Sequence, residues 1–253
     1  MRPLAVAITL WTVAARPAAA QVPYRVSAWD AASVLAAGAL SVLPQAAGLP
    51  RGAPPCAPCD PVSLPRIDRA ALHTFSGSAG TASSVLLAGV VAGSGLASLA
   101  GATPAQVRGH AAVYANALAW SLATSQWLKV LAHRSRPVLY TADAAAAASD
   151  RDSRRSFPSS HATLAFAATT AYVVMAGRER LPHRTRSAVL LYAAALGVAA
   201  LRVSAGQHFP TDVAGGAALG AGIGWLAARV HPTGPRCEPA APPRHAVARR
   251  GAV

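Results

Sequence analysis

The sequence predicts an all-α protein built as a membrane helical bundle of five or six spans, and three observations carry that expectation. First, 53% of the residues are hydrophobic and only 13% are charged, about half the charged share of an ordinary globular chain. Second, five long apolar segments recur, at roughly 82–100, 109–131, 160–176, 187–203 and 210–230. Each is near the ~20 residues that a tilted helix needs to cross a bilayer. Third, the arginines gather between these segments. Ala- and Gly-rich spans with Arg-rich connections explain a mean hydropathy of only +0.34. A net charge of +14 would suit nucleic acid. However, the chain has no zinc-finger spacing, no RNA-binding signature and no basic helix with interleaved aromatics. Arginines flanking apolar segments fit a membrane surface and an anionic substrate instead, so no nucleic-acid partner is expected.

In chain order, residues 1–20 read as a signal peptide or N-terminal anchor. Arg2 precedes the apolar run Leu4 to Ala15, and Ala18-Ala19-Ala20 offers a small-residue cleavage site. Residues 21–81 form an N-terminal helix and a linker. The apolar stretch Ala31 to Leu43, bounded by Asp30 and Pro44, is either a short tilted span or an interfacial helix. A cleaved signal would start the chain outside and exclude a single crossing by 31–43. The linker from Gly48 to Pro65 holds Cys56-Ala57-Pro58-Cys59. A metal site would need two further ligands that nothing nearby supplies, which leaves a local disulfide or a pair of free thiols. Cys237 is left over.

Residues 82–232 form the main domain. Gly216, Gly220 and Gly224 make two overlapping G-x-x-x-G spacings, which let helix backbones approach closely. The connection 138–157 carries Ser149-Asp150-Arg151-Asp152-Ser153-Arg154-Arg155 and reads as a solvated loop near the polar clusters described next, open to partial ordering by a substrate. Residues 233–253 read as a disordered basic tail.

Three polar clusters interrupt the apolar pattern. Lys129 closes one segment in the run Lys-Val-Leu-Ala-His-Arg-Ser-Arg-Pro, which ends on Arg136-Pro137. Phe157-Pro158-Ser159-Ser160-His161 opens the next segment. Arg202 ends a later one and leads through His208 to Asp212, with Pro210 suited to the first turn of a new helix. By segment parity all three clusters share one face. Asp212, one turn after His208, can fix the imidazole tautomer and leave the other nitrogen as nucleophile or base. Arg202 is a permanent cation suited to phosphate or carboxylate. Lys129 is the only lysine, against 22 arginines among the 23 basic side chains, which favours a specific role for it.

The order K-x6-R-P, P-S-S-H and R-x5-H-x3-D resembles the type 2 phosphatidic acid phosphatase superfamily, a group that includes lipid phosphate phosphatases, bacterial acid phosphatases and vanadium haloperoxidases. The match spans Lys129 to Asp212. It departs where the family usually has Gly, at Ser160, and where it has Ser, at Leu201. The resemblance implies the superfamily's phosphatase core and a metal-independent reaction with no cofactor. Lys129, Arg136 and Arg202 would hold the phosphate, with Ser159 and the backbone N–H groups of Ser160 and His161. His208, oriented by Asp212, would attack phosphorus and form a phosphohistidine. His161 would protonate the leaving oxygen and then activate water.

The expected substrate is a lipid phosphate or prenyl pyrophosphate at the bilayer. Alternatives are a soluble exported acid phosphatase acting on small phosphoesters, a vanadate-dependent haloperoxidase and a catalytically dead membrane binding protein. Oligomeric state stays open. The arginines at 178, 180, 184 and 186, with the basic tail, place the opposite face in the cytoplasm by the positive-inside rule. That puts the site on the periplasmic or exterior side of a bacterial-type inner membrane. Other polar residues draw plainer readings: His133 as solvated or structural, Arg134 as a headgroup contact or surface cation, His73 and His110 as interfacial, and Asp68–Arg69 as a surface pair.

Overall fold

The computed structural model describes residues 24–100, 102–181 and 183–234. Residues 1–20 and 235–253, with the leader and most of the tail expected there, lie outside the described residues. Helices α1 (Ala28–Ala46), α3 (Gly77–Leu99), α4 (Pro104–Ala132), α6 (Ser160–Arg178), α7 (Arg184–Ser204) and α8 (Pro210–Val230) are long. The short helices α2 (Arg66–Arg69) and α5 (Ala144–Ala147) lie in connections, with single 3-10 turns beside them. Among the described residues there is no strand, only an isolated bridge between Tyr24 and Thr233, so the first two residues of the expected tail are placed.

The five apolar segments became α3, α4, α6, α7 and α8; α8 keeps the expected bounds, and the others are extended by a few residues at one or both ends. Polar residues cap the two that lengthen most at their start. Thr103 and Gln106 cap each other's backbone at the start of α4, behind Pro104. Ser76 accepts from the Ala79 N–H at the start of α3. Three helices, α3, α7 and α8, are long and apolar enough to cross a membrane.

The six long helices alternate in direction. At one end α3 begins beside the end of α7, where the Ser76 N–H donates to the Ser204 carbonyl at 3.1 Å. At the other end His110 of α4 sits between the Ser98 carbonyl and Glu179, with Nε2 2.6 Å from the carboxylate. His110 is thus a buried, paired group rather than an interfacial one. Helix α1 packs along α4: Trp120 Nε1 donates to Ser33 Oγ at 2.9 Å, and Trp127 Nε1 to the Leu40 carbonyl at 3.0 Å. Its other side exposes Trp29, Leu35 and Val42.

Helix α6 lies at the centre, touching α3, α4, α7 and α8, and none of its large apolar residues is exposed. Its tightest neighbour is α8, because the glycine stripe faces the α6 backbone. A Cβ at Gly216 would lie 2.6 Å from the Ser159 carbonyl oxygen, at Gly220 2.0 Å from that of Thr163, and at Gly224 2.5 Å from that of Ala167. Two helix axes can approach this closely only with hydrogens in place of side chains. This contact sets the start of α6 against the start of α8.

Residues 134–156 are more ordered than their polarity suggests. The connection reads as solvated, yet Ser153, Arg154, Arg155 and Ser156 are buried. The Arg136 N–H donates to the Ser153 carbonyl at 2.7 Å and the Ser156 N–H to the Arg134 carbonyl at 3.0 Å. The buried arginines are paired: Arg154 reaches the backbone carbonyls of Pro50 and Arg51, and Arg155 the side-chain oxygens of Gln45 and Gln126. The linker before α3 is similarly pinned. Cys56 and Cys59 form a disulfide, and the Cys59 N–H donates to the Leu139 carbonyl at 2.8 Å.

Candidate active site

Four chain segments converge at one end of the bundle. The first is the C-terminus of α4. His133 adopts a left-handed conformation (φ 46°) with its N–H on the Lys129 carbonyl, and so ends the helix. Lys129, one turn earlier, is buried and donates from Nζ to the Arg155 carbonyl at 2.7 Å. The abrupt exit turns Arg134 and Arg136 back over the bundle end. Arg136 pairs with Asp152 at 2.7 Å and gives Nη1 to Gln207 Oε1 at 2.9 Å.

The second segment is the start of α6. Ser159 is the N-cap, and its N–H donates to the Asp212 carbonyl at 3.1 Å. Its hydroxyl is buried and has no hydrogen-bond partner. The next backbone N–H groups open a helix, where the first turn has no intrahelical acceptors. His161 Nε2 lies 3.2 Å from Ser84 Oγ, and Arg202, Lys129 and Arg136 are its charged neighbours. The Ser160 hydroxyl points the other way, 3.1 Å from Ser125 Oγ on α4. Only its backbone can serve a ligand beside His161.

The third and fourth segments are the end of α7 and the start of α8. Arg202 extends to Gln207 Oε1 at 2.7 Å and to Ser83 Oγ at 3.4 Å. The carboxamide oxygen of Gln207 therefore joins Arg202 to Arg136. Gly206 makes the intervening turn with φ 64°, and a Cβ there would lie 2.4 Å from both the Thr74 carbonyl and the Phe75 ring. Asp212 is fully buried. Its Oδ2 accepts from the Phe209 N–H at 2.9 Å and from Ser156 Oγ at 2.5 Å, and its Oδ1 accepts from Arg134 at 2.6 Å.

His208 Nδ1 faces the same carboxylate at 3.8 Å, beyond hydrogen-bond length. The expected tautomer-fixing contact is thus approached but not closed. Burial chiefly holds the His208 imidazole down to about 3, Lys129 and Arg136 push the same way, and Asp212 opposes them. His208 is therefore neutral at physiological pH, the form a nucleophile needs.

The model of the PAP2 superfamily matches residues 110–236, half of the chain. The chain belongs to the PAP2 superfamily. This is the type 2 phosphatidic acid phosphatase superfamily, and with membership comes phosphatase-type activity. No curated protein and no solved structure matches the chain. Together with its three apolar helices, the match describes a membrane-type PAP2 protein.

Within the PAP2 domain, Lys129, Arg136, Ser159, His161, Arg202, His208 and Asp212 gather at one end of the bundle. Four of them hold buried polar atoms without a hydrogen-bond partner: Arg136 Nε, Ser159 Oγ, Arg202 Nε and His208 Nδ1. Two sequence readings are corrected. Arg134 is not a free surface cation, because its guanidinium is bound to Asp68, Thr211 and Asp212. Asp68 does not pair with Arg69, whose donors go to the carbonyls of Leu64 and Val62.

The sequence reading missed Ser83, Ser84 and Gln207 as site neighbours; it placed the connection holding Asp152 and Ser156 near the site but gave neither residue a role. Gln207 sits inside the third cluster, where a carboxamide between an arginine and a histidine was a usable signal. Ser83 and Ser84 lie ahead of the PAP2 match, and only packing brings them to Arg202 and His161.

Proposed function

We propose that this PAP2 protein is a metal-independent phosphatase that hydrolyses a lipid phosphate or prenyl pyrophosphate through a phosphohistidine. The observation that carries the reading is the convergence of three cations, a neutral buried histidine and four unpartnered polar atoms at one bundle end. Phosphoryl transfer needs positive charge around the equatorial oxygens and an in-line nucleophile. Lys129, Arg136 and Arg202 provide the charge, with the Ser159 hydroxyl and the α6 N-terminus. His208 Nε2 bonds to phosphorus as the bond to the leaving oxygen breaks, and His161 gives that oxygen a proton. A water then attacks phosphorus, neutral His161 takes its proton, the P–N bond breaks and phosphate departs. Asp212 supports the positive imidazole of the intermediate.

The surroundings support a lipid substrate. Six helices of 19 to 29 residues match a hydrocarbon thickness of about 30 Å at ~1.5 Å per residue. Those around α6 turn large apolar side chains outward. The lengthwise packing of α1 on α4 favours its spanning form over an interfacial one, giving six spans. The end that carries Arg178, Arg180, Arg184 and Arg186 then faces the cytoplasm and the site faces the exterior or periplasm.

The test is phosphate release by the purified protein in detergent from phosphatidic acid, phosphatidylglycerophosphate, a prenyl pyrophosphate and soluble esters. Activity is expected on the lipids, resistant to EDTA and inhibited by vanadate. His208→Ala is expected to lose turnover and acid-labile phosphoenzyme together. A divalent-metal requirement, or full activity in His208→Ala, would falsify the mechanism.

A further inference from the structure

Asp68 is fully buried, although it sits on the four-residue helix α2 in a linker and lies ahead of the residues matched to PAP2. Its Oδ1 accepts from the Thr211 N–H at 3.0 Å. Its Oδ2 accepts from Thr211 Oγ1 at 2.7 Å and from Arg134 Nη2 at 2.7 Å. Nη1 of the same guanidinium reaches Asp212 Oδ1 at 2.6 Å, and the Arg134 cation lies 4.7 Å above the Phe209 ring. One cation is thus divided between two buried carboxylates, and one of them is the partner of His208.

We propose that Asp68 is a positioning residue of the active site: it holds half of Arg134, so that Asp212 keeps its negative charge towards His208. This rests on the phosphohistidine reading. A single arginine paired with Asp212 alone would neutralise it, and the imidazole that gains positive charge on phosphorylation would face a neutral pair. With Asp68 present, the three groups together carry one net negative charge beside His208.

The fork also fixes the Asp212 carboxylate plane, because a planar guanidinium binds two carboxylates only in set orientations. A purely mechanical role, tying α2 to the bundle, is the competing account. The linker has other anchors for that purpose, since Leu64 and Ala71 bury against Phe209.

The test compares Asp68→Asn, Asp68→Glu and Arg134→Lys with the wild type in the purified full-length chain. It reads phosphoenzyme formation and KM on phosphatidic acid in mixed micelles, and orthovanadate affinity by direct titration. Asp68→Asn keeps the shape and the acceptor for Thr211 but removes the charge. It is expected to slow phosphoenzyme formation about 10- to 100-fold, by analogy with the loss on removing the carboxylate that orients a metal-bound histidine. KM should stay within about threefold, and vanadate binding should weaken in parallel. Asp68→Glu should recover most of the rate.

Should Asp68→Asn fail to fold, Arg134→Lys decides: the shorter ammonium keeps the charge but has no planar fork to hold both carboxylates in their set orientations, and it should show a loss in the same direction. Wild-type rates per folded molecule in the variants would overturn the proposal and leave the phosphatase reading intact. A wild type that forms no phosphoenzyme defeats that reading by itself. Vanadate, which bonds to the same imidazole, then decides this one: weaker binding by Asp68→Asn supports it, while unchanged binding or none in the wild type overturns it.

Discussion

His208 illustrates how burial prepares a residue for chemistry at a cost in acid stability. The folded protein holds it down to about 3, against an ordinary 6.5, chiefly by burial, with Lys129 from α4 and Arg136 after it adding to the effect and Asp212 from α8 resisting it. Because the folded value lies below the unfolded one, the unfolded chain binds the proton first. This contribution to stability is complete above about 6.5 and is lost as pH falls towards about 3. Over the first two pH units below 6.5 the loss is roughly 2 kcal/mol. His208→Asn, which cannot charge, is expected to flatten the fall of Tm across that range, and an unchanged slope would refute the assignment. The charged site positions were legible because Lys, Arg, His and Asp stand out against an apolar background at fixed spacings. Asp68 was not, because nothing local distinguishes a buried aspartate from an exposed one beside an arginine. Only the fold supplies Arg134 and Thr211 as its partners.

Among the elements, the pairing of α6 with α8 decides whether the site exists at all. The same stripe of Gly216, Gly220 and Gly224 that lets the backbones meet brings Ser159 within a hydrogen bond of the Asp212 carbonyl. Gly220→Ala would place its Cβ 2.0 Å from the Thr163 carbonyl oxygen. It is expected to cost about 1–3 kcal/mol by overpacking and to lower activity by parting the two helix starts. Gly222→Ala meets nothing within 4 Å and should be neutral or up to about 1 kcal/mol stabilising. Equal unfolding temperatures for the two variants in detergent would refute the contact. The spacing of these glycines was visible in the sequence, as were the five apolar segments. The short helices α2 and α5 and the buried connection 153–156 were not. Their polar residues are paired by tertiary contacts such as Arg155 Nη1 to Gln45 Oε1 at 2.7 Å, and composition alone reads such residues as solvated.

For the whole molecule, alternating helix directions put the site at one end and Tyr24 with Thr233 at the other. The disulfide Cys56–Cys59 lies at the site end, tied through Cys59 to Leu139, which suits an oxidising compartment outside the cytoplasm. In a Cys237→Ser background, Ser149→Cys and Thr185→Cys place exposed thiols at the two ends. An impermeant maleimide applied to intact cells is expected to label the first and not the second, and the reverse would invert the topology. The molecule also has a chemical consequence of its own making. Its single lysine, Lys129, is folded into the site with its amine on the Arg155 carbonyl. Amine-directed crosslinkers, acylating drugs and lysine-dependent tagging therefore have a single side-chain target in the whole chain. On the proposed function, reaching it means entering the phosphate site, so occupancy by substrate or vanadate would be measurable as protection of one amine.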